Sequence, residues 1–229
     1  MRSRSVSAVV LSTTLDVPLP PGRLVADLNR ELLRLDLDPG DVEALSLPRA
    51  RARWPDYRRC VQAVSDWMGT LGLLDVLSSS DIALMACRGA QYHFDGEQYG
   101  GAAFCNLFLS EDKGLDLHFP ATGHRLPLTR GTAVIFDTGQ PHAVIHRSSN
   151  GFHADAFAPE QDFSQLFLTW ELPIEHAALA RTLRIAFDTN PTTCQLLQEE
   201  QVWLNGARVK VCPETGRLYA TVDAVANPP

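Results

Sequence analysis

Gln91-Tyr92-His93-Phe94-Asp95, taken together with Gln140-Pro141-His142 further along, decides how this chain is read. Side chains on an extended segment alternate with period two, so His93 and Asp95 point to the same side. An imidazole and a carboxylate on one face, joined by a second imidazole from a distant strand, form a two-His-one-carboxylate set. Such a set holds a divalent iron and leaves coordination positions open for other ligands. A bare H-x-D recurs by chance, and a lone histidine is more often a satisfied core or surface residue, so the text between the two stretches has to carry weight as well.

That text consists of short strand-like runs closed by turn residues: Gly101-Ala-Ala-Phe-Cys-Asn106-Leu-Phe-Leu-Ser110, Gly114-Leu-Asp-Leu-His-Phe119-Pro120 and Gly131-Thr-Ala-Val-Ile-Phe136-Asp137. Further runs at 125–128, 142–146 and 152–157, separated by Gly, Pro and Asn, favour a sandwich or barrel over a sheet alternating with helices. In order and spacing, residues 83 to 157 resemble the 2-oxoglutarate/Fe(II) oxygenase superfamily, especially its prolyl 4-hydroxylase-like branch. The family pattern runs H-x-D, a "YLN"-like strand, "GGxTxFP", "KKGxAllF" and a distal His.

The resemblance implies a mainly β chain with flanking helices, its core a double-stranded β-helix (a jelly roll, or cupin-like barrel). It implies Fe(II) held by His93, Asp95 and His142, with 2-oxoglutarate and O₂ as co-substrates, ascorbate as a reductant, and hydroxylation of a small molecule or an amino-acid side chain. His146 lies on the same strand face as His142 and is a candidate for contact with substrate. His118 and His124 sit in a hairpin and are expected at the surface.

The family grips the far carboxylate of its oxo acid with a basic residue beyond the distal His, and here the pattern breaks. His153, in Gly151-Phe152-His153, occupies that offset, and Arg147 is the alternative anchor. A histidine is only partly charged near neutral pH and grips a carboxylate less firmly than a forked guanidinium. Three outcomes stay open: 2-oxoglutarate held by His153 or Arg147, a different 2-oxo acid, or an iron oxygenase that uses no oxo acid. A cupin-like protein that binds metal without turnover is the reading from another class. Asn106 and Tyr99 are polar partners for the oxo acid or the substrate.

At 229 residues the chain can bury about 70% of its unfolded surface in one core without staples. A formal charge of -7 disfavours a nucleic-acid partner, whose affinity rests on Lys and Arg neutralising phosphates. Five cysteines, widely spaced and without a C-x-x-C pair, suit a reducing compartment. With no apolar segment near the ~20 residues of a transmembrane helix, a soluble cytoplasmic protein is expected, with no membrane partner.

Around the core, the sequence predicts a strand at Ala8–Leu11 and helices at Leu24–Leu35 and Tyr57–Leu71, where apolar residues recur at helical spacing. The arginine-rich stretch 49–59 is expected to be solvated surface. A strand is expected at Asp81–Cys87 and another at Gln165–Leu172, then a helix from Ile174 to Asp188 and a hairpin turning at Asn205-Gly206 outside the barrel. This gives a single domain over 1–229: an N-terminal strand and helices over 1–80, the β-helix core over 81–172, and a C-terminal helix and hairpin over 173–229.

Overall fold

The structure, a computed structural model, describes residues 4–35, 37–158, 160–187, 203–204 and 207–220. Its elements in chain order are β1 (Leu11–Thr14), α1 (Gly22–Leu35), β2 (Val42–Leu45), α2 (Leu47–Arg53), α3 (Tyr57–Thr70), α4 (Leu74–Ser78), β3 (Ile82–Cys87), β4 (Ala90–His93), α5 (Gly96–Tyr99), β5 (Ala102–Phe108) and β6 (Leu115–Phe119). β7 (His124–Pro127), β8 (Thr132–Asp137), β9 (His142–His146), β10 (Gln165–Pro173), α6 (Ala177–Leu183), β11 (Trp203–Leu204), β12 (Ala207–Val211) and β13 (Leu218–Ala220) follow.

Strands β3 to β10 pair in a nested order. β6 pairs with β7, β5 with β8, β4 with β9 and β3 with β10, all antiparallel. A long hairpin rolled up in this way divides between two sheets. One has the order β1-β8-β5-β10-β3-β2 and the other β4-β9-β6-β7. This is the jelly roll, or double-stranded β-helix, that the family resemblance implied.

The larger sheet is buried on both faces, and β10 shows how. Leu166, Leu168, Trp170 and Leu172 point to the helical side, whereas Phe167 points into the space between the sheets. On the helical side, α1 presents Leu24, Leu28 and Leu32, and α3 presents Cys60, Val64 and Met68, each set at four-residue spacing along one stripe. Between the sheets lies a second cluster rich in phenylalanine.

Several boundaries differ from the sequence expectation. The first strand falls at Leu11–Thr14, where it finds an edge to pair with on β8. The arginine run is helical in α2, while β2 and α4 arise in stretches with no periodic signal. The run 152–157 is no strand: Phe152 and Phe157 stack on each other and turn inward with Phe163, around a 3-10 turn at Ala154–Ala156. These rings belong to a loop that closes one end of the barrel. The C-terminal helix stops at Leu183, followed by Arg184 with a left-handed backbone (φ 56).

The expected turn at Asn205-Gly206 lies outside the described residues, although the flanking strands do pair, Leu204 opposite Ala207. The segment between β12 and β13 rests on β4, where the Tyr92 amide donates to the Pro213 carbonyl (3.1 Å). A side chain at Gly216 (φ +68) would collide with Pro120 and Tyr92 at 2.4 and 2.6 Å, so only glycine permits this approach.

Candidate metal centre

His93 ends β4 and His142 opens β9, and the two face each other in register across the antiparallel pair. Asp95 follows in the turn before α5, where its backbone amide donates to the Thr138 carbonyl at 2.8 Å. One donor atom from each of the three residues lies within 4.8 Å of the others. His93 Nε2 is 3.6 Å from Asp95 Oδ1, and His142 Nε2 is 3.5 Å from Asp95 Oδ2.

The imidazoles are held by their other nitrogens. His93 Nδ1 donates to the Gln91 carbonyl (2.6 Å) and His142 Nδ1 to the Gln140 carbonyl (2.9 Å). A carbonyl only accepts, so the proton sits on Nδ1 and the Nε2 lone pair faces the carboxylate. Burial, reinforced by the neighbouring His93 and opposed by Asp95, lowers the pKa of His142 to about 4, which keeps its imidazole neutral, as a metal ligand must be. The donor set therefore fits a divalent metal: two neutral imidazoles and one carboxylate on one side, with the other side open to the chamber.

The loop that delivers His142 is braced from the N-terminus. Arg4 donates to both carboxylate oxygens of Asp137 (2.8 and 2.9 Å) and, through Nε, to the Gly100 carbonyl (2.8 Å). Asp137 also accepts from the Ser7 and Gly139 amides (2.7 and 2.9 Å). Because Thr138 in this same loop binds the amide of Asp95, one buried ion pair positions two of the three candidate ligands.

The ligands open on a chamber of about 300 Å³ between the sheets. His142 meets the edge of Phe136 (4.7 Å between centroids), and Phe104, Phe108 and Phe167 continue the wall inward. Cys87 also faces the chamber, but burial pushes its pKa up to about 12, so it stays a thiol and offers no competing thiolate.

Of the other residues expected at the site, Tyr99 and Asn106 line the chamber. Tyr99 packs its ring against the edge of Phe104 (5.1 Å), and Asn106 accepts a hydrogen bond from Thr169 across β5 and β10. His153 and Arg147 are not brought there. His153 is exposed ahead of the 3-10 turn. Arg147 spends its guanidinium on Asp116 (2.8 Å) and on both oxygens of Asp112 (2.9 Å each), and these bonds raise its pKa. Asp116 neighbours the chamber-lining Leu117 on β6 and so faces the opposite way.

His146 lies at the far end of β9, about 13 Å of strand from His142, with Nδ1 bonded to Ser148 Oγ (2.8 Å). His118, expected at the surface, is half-buried against the Tyr92 hydroxyl, and only His124 is exposed.

Three contributors went unnoticed in the sequence: Arg4 with Asp137, Glu171 at the metal end of the chamber, and Gln165. The alternation Gln165, Phe167, Thr169, Glu171 was the available signal for the last two. Phe167, Thr169 and Glu171 all line the chamber, and Gln165 continues their row. Gln165 is 0% exposed, and neither its Nε2 nor its Oε1 has a hydrogen-bond partner. Such an orphaned buried group costs about 1–3 kcal/mol unless a ligand or water answers it.

No protein-family model and no curated protein matches this chain. Among solved structures of similar shape is a viral collagen prolyl hydroxylase from Paramecium Bursaria Chlorella virus-1 in a 2OG complex. It is 7% identical, covers 72% of this chain and 94% of that one, and has a TM-score of 0.44. A prolyl-4-hydroxylase from Pseudomonas putida is 18% identical, with 72% and 91% covered and a TM-score of 0.40. EvdO2 from Micromonospora carbonacea var. aurantiaca is 11% identical, with 80% and 89% covered and a TM-score of 0.42. At these identities the likeness is one of shape, and the jelly roll itself rests on the strand pairing of this chain.

Proposed function

We propose that this protein is a non-haem Fe(II) dioxygenase that uses a 2-oxo acid, of which 2-oxoglutarate is the family's, together with O₂ to hydroxylate a small molecule or an amino-acid side chain. The observation that carries this is the convergence of His93, Asp95 and His142 at the open end of an apolar chamber. Bound Fe(II) would supply open positions for the oxo acid and O₂. One oxygen atom enters the acid as it loses CO₂ and becomes one carbon shorter, and the other enters the substrate C–H bond.

The chain's own residues do the rest. The Gln91 and Gln140 carbonyls fix the imidazole tautomers, and Phe104 and Phe136 exclude water beside the ligands. Tyr99 and Glu171 stand at the same end, where a substrate would enter. The chamber lining contains no Lys or Arg among the described residues, and this favours as a second reading a cupin-like protein that binds metal without turnover.

We read the β-helix and its flanking segments as one functional domain working in a reducing cytoplasm, with ascorbate as a reductant and with neither nucleic acid nor membrane as partner. In support, Cys60, Cys87, Cys105 and Cys212 are free thiols, and no described helix is long and apolar enough to cross a membrane. Incubation with Fe(II), O₂, ascorbate and 2-oxo acids decides the matter. Release of CO₂ and of the shortened acid, abolished in His142→Ala, is expected. Stoichiometric iron binding with no turnover of any oxo acid would select the second reading.

A further inference from the structure

We propose that the end of the chamber remote from the metal ligands is built to receive the uncharged far end of a 2-oxo acid, and that the side-chain amide of Gln165 is the group that reads it. This deepens the oxygenase reading and rests on it. β10 sends Gln165, Phe167, Thr169 and Glu171 toward the space between the sheets. Glu171 is in register with Phe104, Phe104 with Phe136, and Phe136 touches His142, which puts Glu171 at the metal end of the row and Gln165 at the other. Gln165 stands about 7 Å of strand beyond Phe167. Its register partner on β3 is Cys87, a chamber residue.

Among the described residues the chamber lining holds two acids, Asp95 and Glu171, and no Lys or Arg. The cations around the far end are already engaged. Lys113 binds Asp162 (2.7 Å) and the Ser164 carbonyl (2.5 Å), and Arg88 binds the carbonyls of Phe157 (2.9 Å) and Ala158 (2.8 Å). Arg147 is held by Asp112 and Asp116. A second carboxylate at this end would be buried without a countercharge, whereas an ester, ketone, amide or hydroxyl could bond to the vacant donor or acceptor of Gln165.

The test uses the full chain loaded with Fe(II) under argon and follows the visible charge-transfer absorbance that an oxo acid produces on chelating the metal. The probes are 2-oxoglutarate, its 5-methyl ester, which is the same chain without the far charge, and 2-oxobutyrate, which has no far group. The ester is expected to bind at least tenfold more tightly than 2-oxoglutarate. Gln165→Leu should bring the ester down to the level of 2-oxobutyrate with iron stoichiometry unchanged, and Gln165→Arg should reverse the preference in favour of 2-oxoglutarate. The proposal is overturned if 2-oxoglutarate binds more tightly than the ester in the parent protein, or if Gln165→Leu leaves the order unchanged. It is overturned equally if Lys113→Met, and not Gln165→Leu, removes discrimination. Should none of the three acids perturb the bound iron, the oxo-acid reading itself fails and this inference with it.

Discussion

The two ends of the chamber differ in how far their polar groups are answered. At the metal end most groups around the candidate ligands are answered: imidazole Nδ1 on a carbonyl, the Asp95 amide on Thr138, and Asp137 by Arg4 and two backbone amides, with the buried side-chain amide of Gln140 the exception. At the other end the fully buried amide of Gln165 has none, and Phe167, next on the same face of β10, lines the chamber together with Phe108. A satisfied network holds one geometry ready before any ligand arrives. An unsatisfied group keeps its bonding capacity for what comes in.

The contrast can be broken first at the metal end. His93→Ala, Asp95→Ala and His142→Ala should each abolish stoichiometric Fe(II) binding, as read by metal analysis, because a three-armed site fails when any arm is lost. Full iron retention in His142→Ala would show that the distal ligand lies elsewhere. Next in size is Arg4→Ala, which strands Asp137 at 0% side-chain exposure. The expected loss is about 3–5 kcal/mol in denaturant unfolding, with weakened iron binding, since the same loop carries His142. An unchanged midpoint would mean that the N-terminal segment contributes little.

The pH dependence of the apo protein comes third. His142 is neutral in the fold down to about pH 4, whereas an unfolded histidine titrates near 6.5. Between those values the unfolded chain binds more protons, so stability falls as pH drops from 6.5 toward 4, by on the order of 3 kcal/mol, and is flat with respect to this group above 6.5. Urea midpoints across that window, compared with His142→Phe, isolate the effect. Gln165→Leu should then raise apo stability by about 1–3 kcal/mol, because it removes an unpaired buried amide; a loss would mean that an ordered water already bonds it. Smallest of all, His153→Ala should change stability by less than about 0.5 kcal/mol and leave oxo-acid binding intact, as expected for an exposed loop residue.

The candidate metal end was legible in the sequence as a short local motif read through a family resemblance. H-x-D marked His93 and Asp95, but Asp95 lies in the turn beyond β4, so that turn and the Thr138 carbonyl, not strand period, bring its carboxylate to the site, and the resemblance supplied the rolled hairpin that brings His142 opposite His93. The far end was not. Counting forward from His142 leads to His153, but the loop between β9 and β10 intervenes and moves the next barrel strand to Gln165. That loop looked like a strand because apolar and polar residues mix across 152–157, yet Phe152 and Phe157, five residues apart, turn inward together, which strand alternation would not allow. Arg147 looked free because its acids, Asp112 and Asp116, become neighbours only once β6 and β9 pair. Arg4 and Asp137 are invisible as a pair for the same reason of distance along the chain.

The nested pairing also orders events in time. Phe119 and His124 close a short loop, whereas Cys105 must wait for Ile135, His93 for His142, and Leu84 for Leu168. Closure of short loops costs less chain entropy than closure of long ones, so the barrel is expected to zip from its innermost hairpin outward. By the same ordering His93 meets His142 before β10 docks between β5 and β3, so pulse-labelled hydrogen exchange during refolding should protect the β4–β9 pair before the wall bearing Gln165. Earlier protection of β10 would contradict this order.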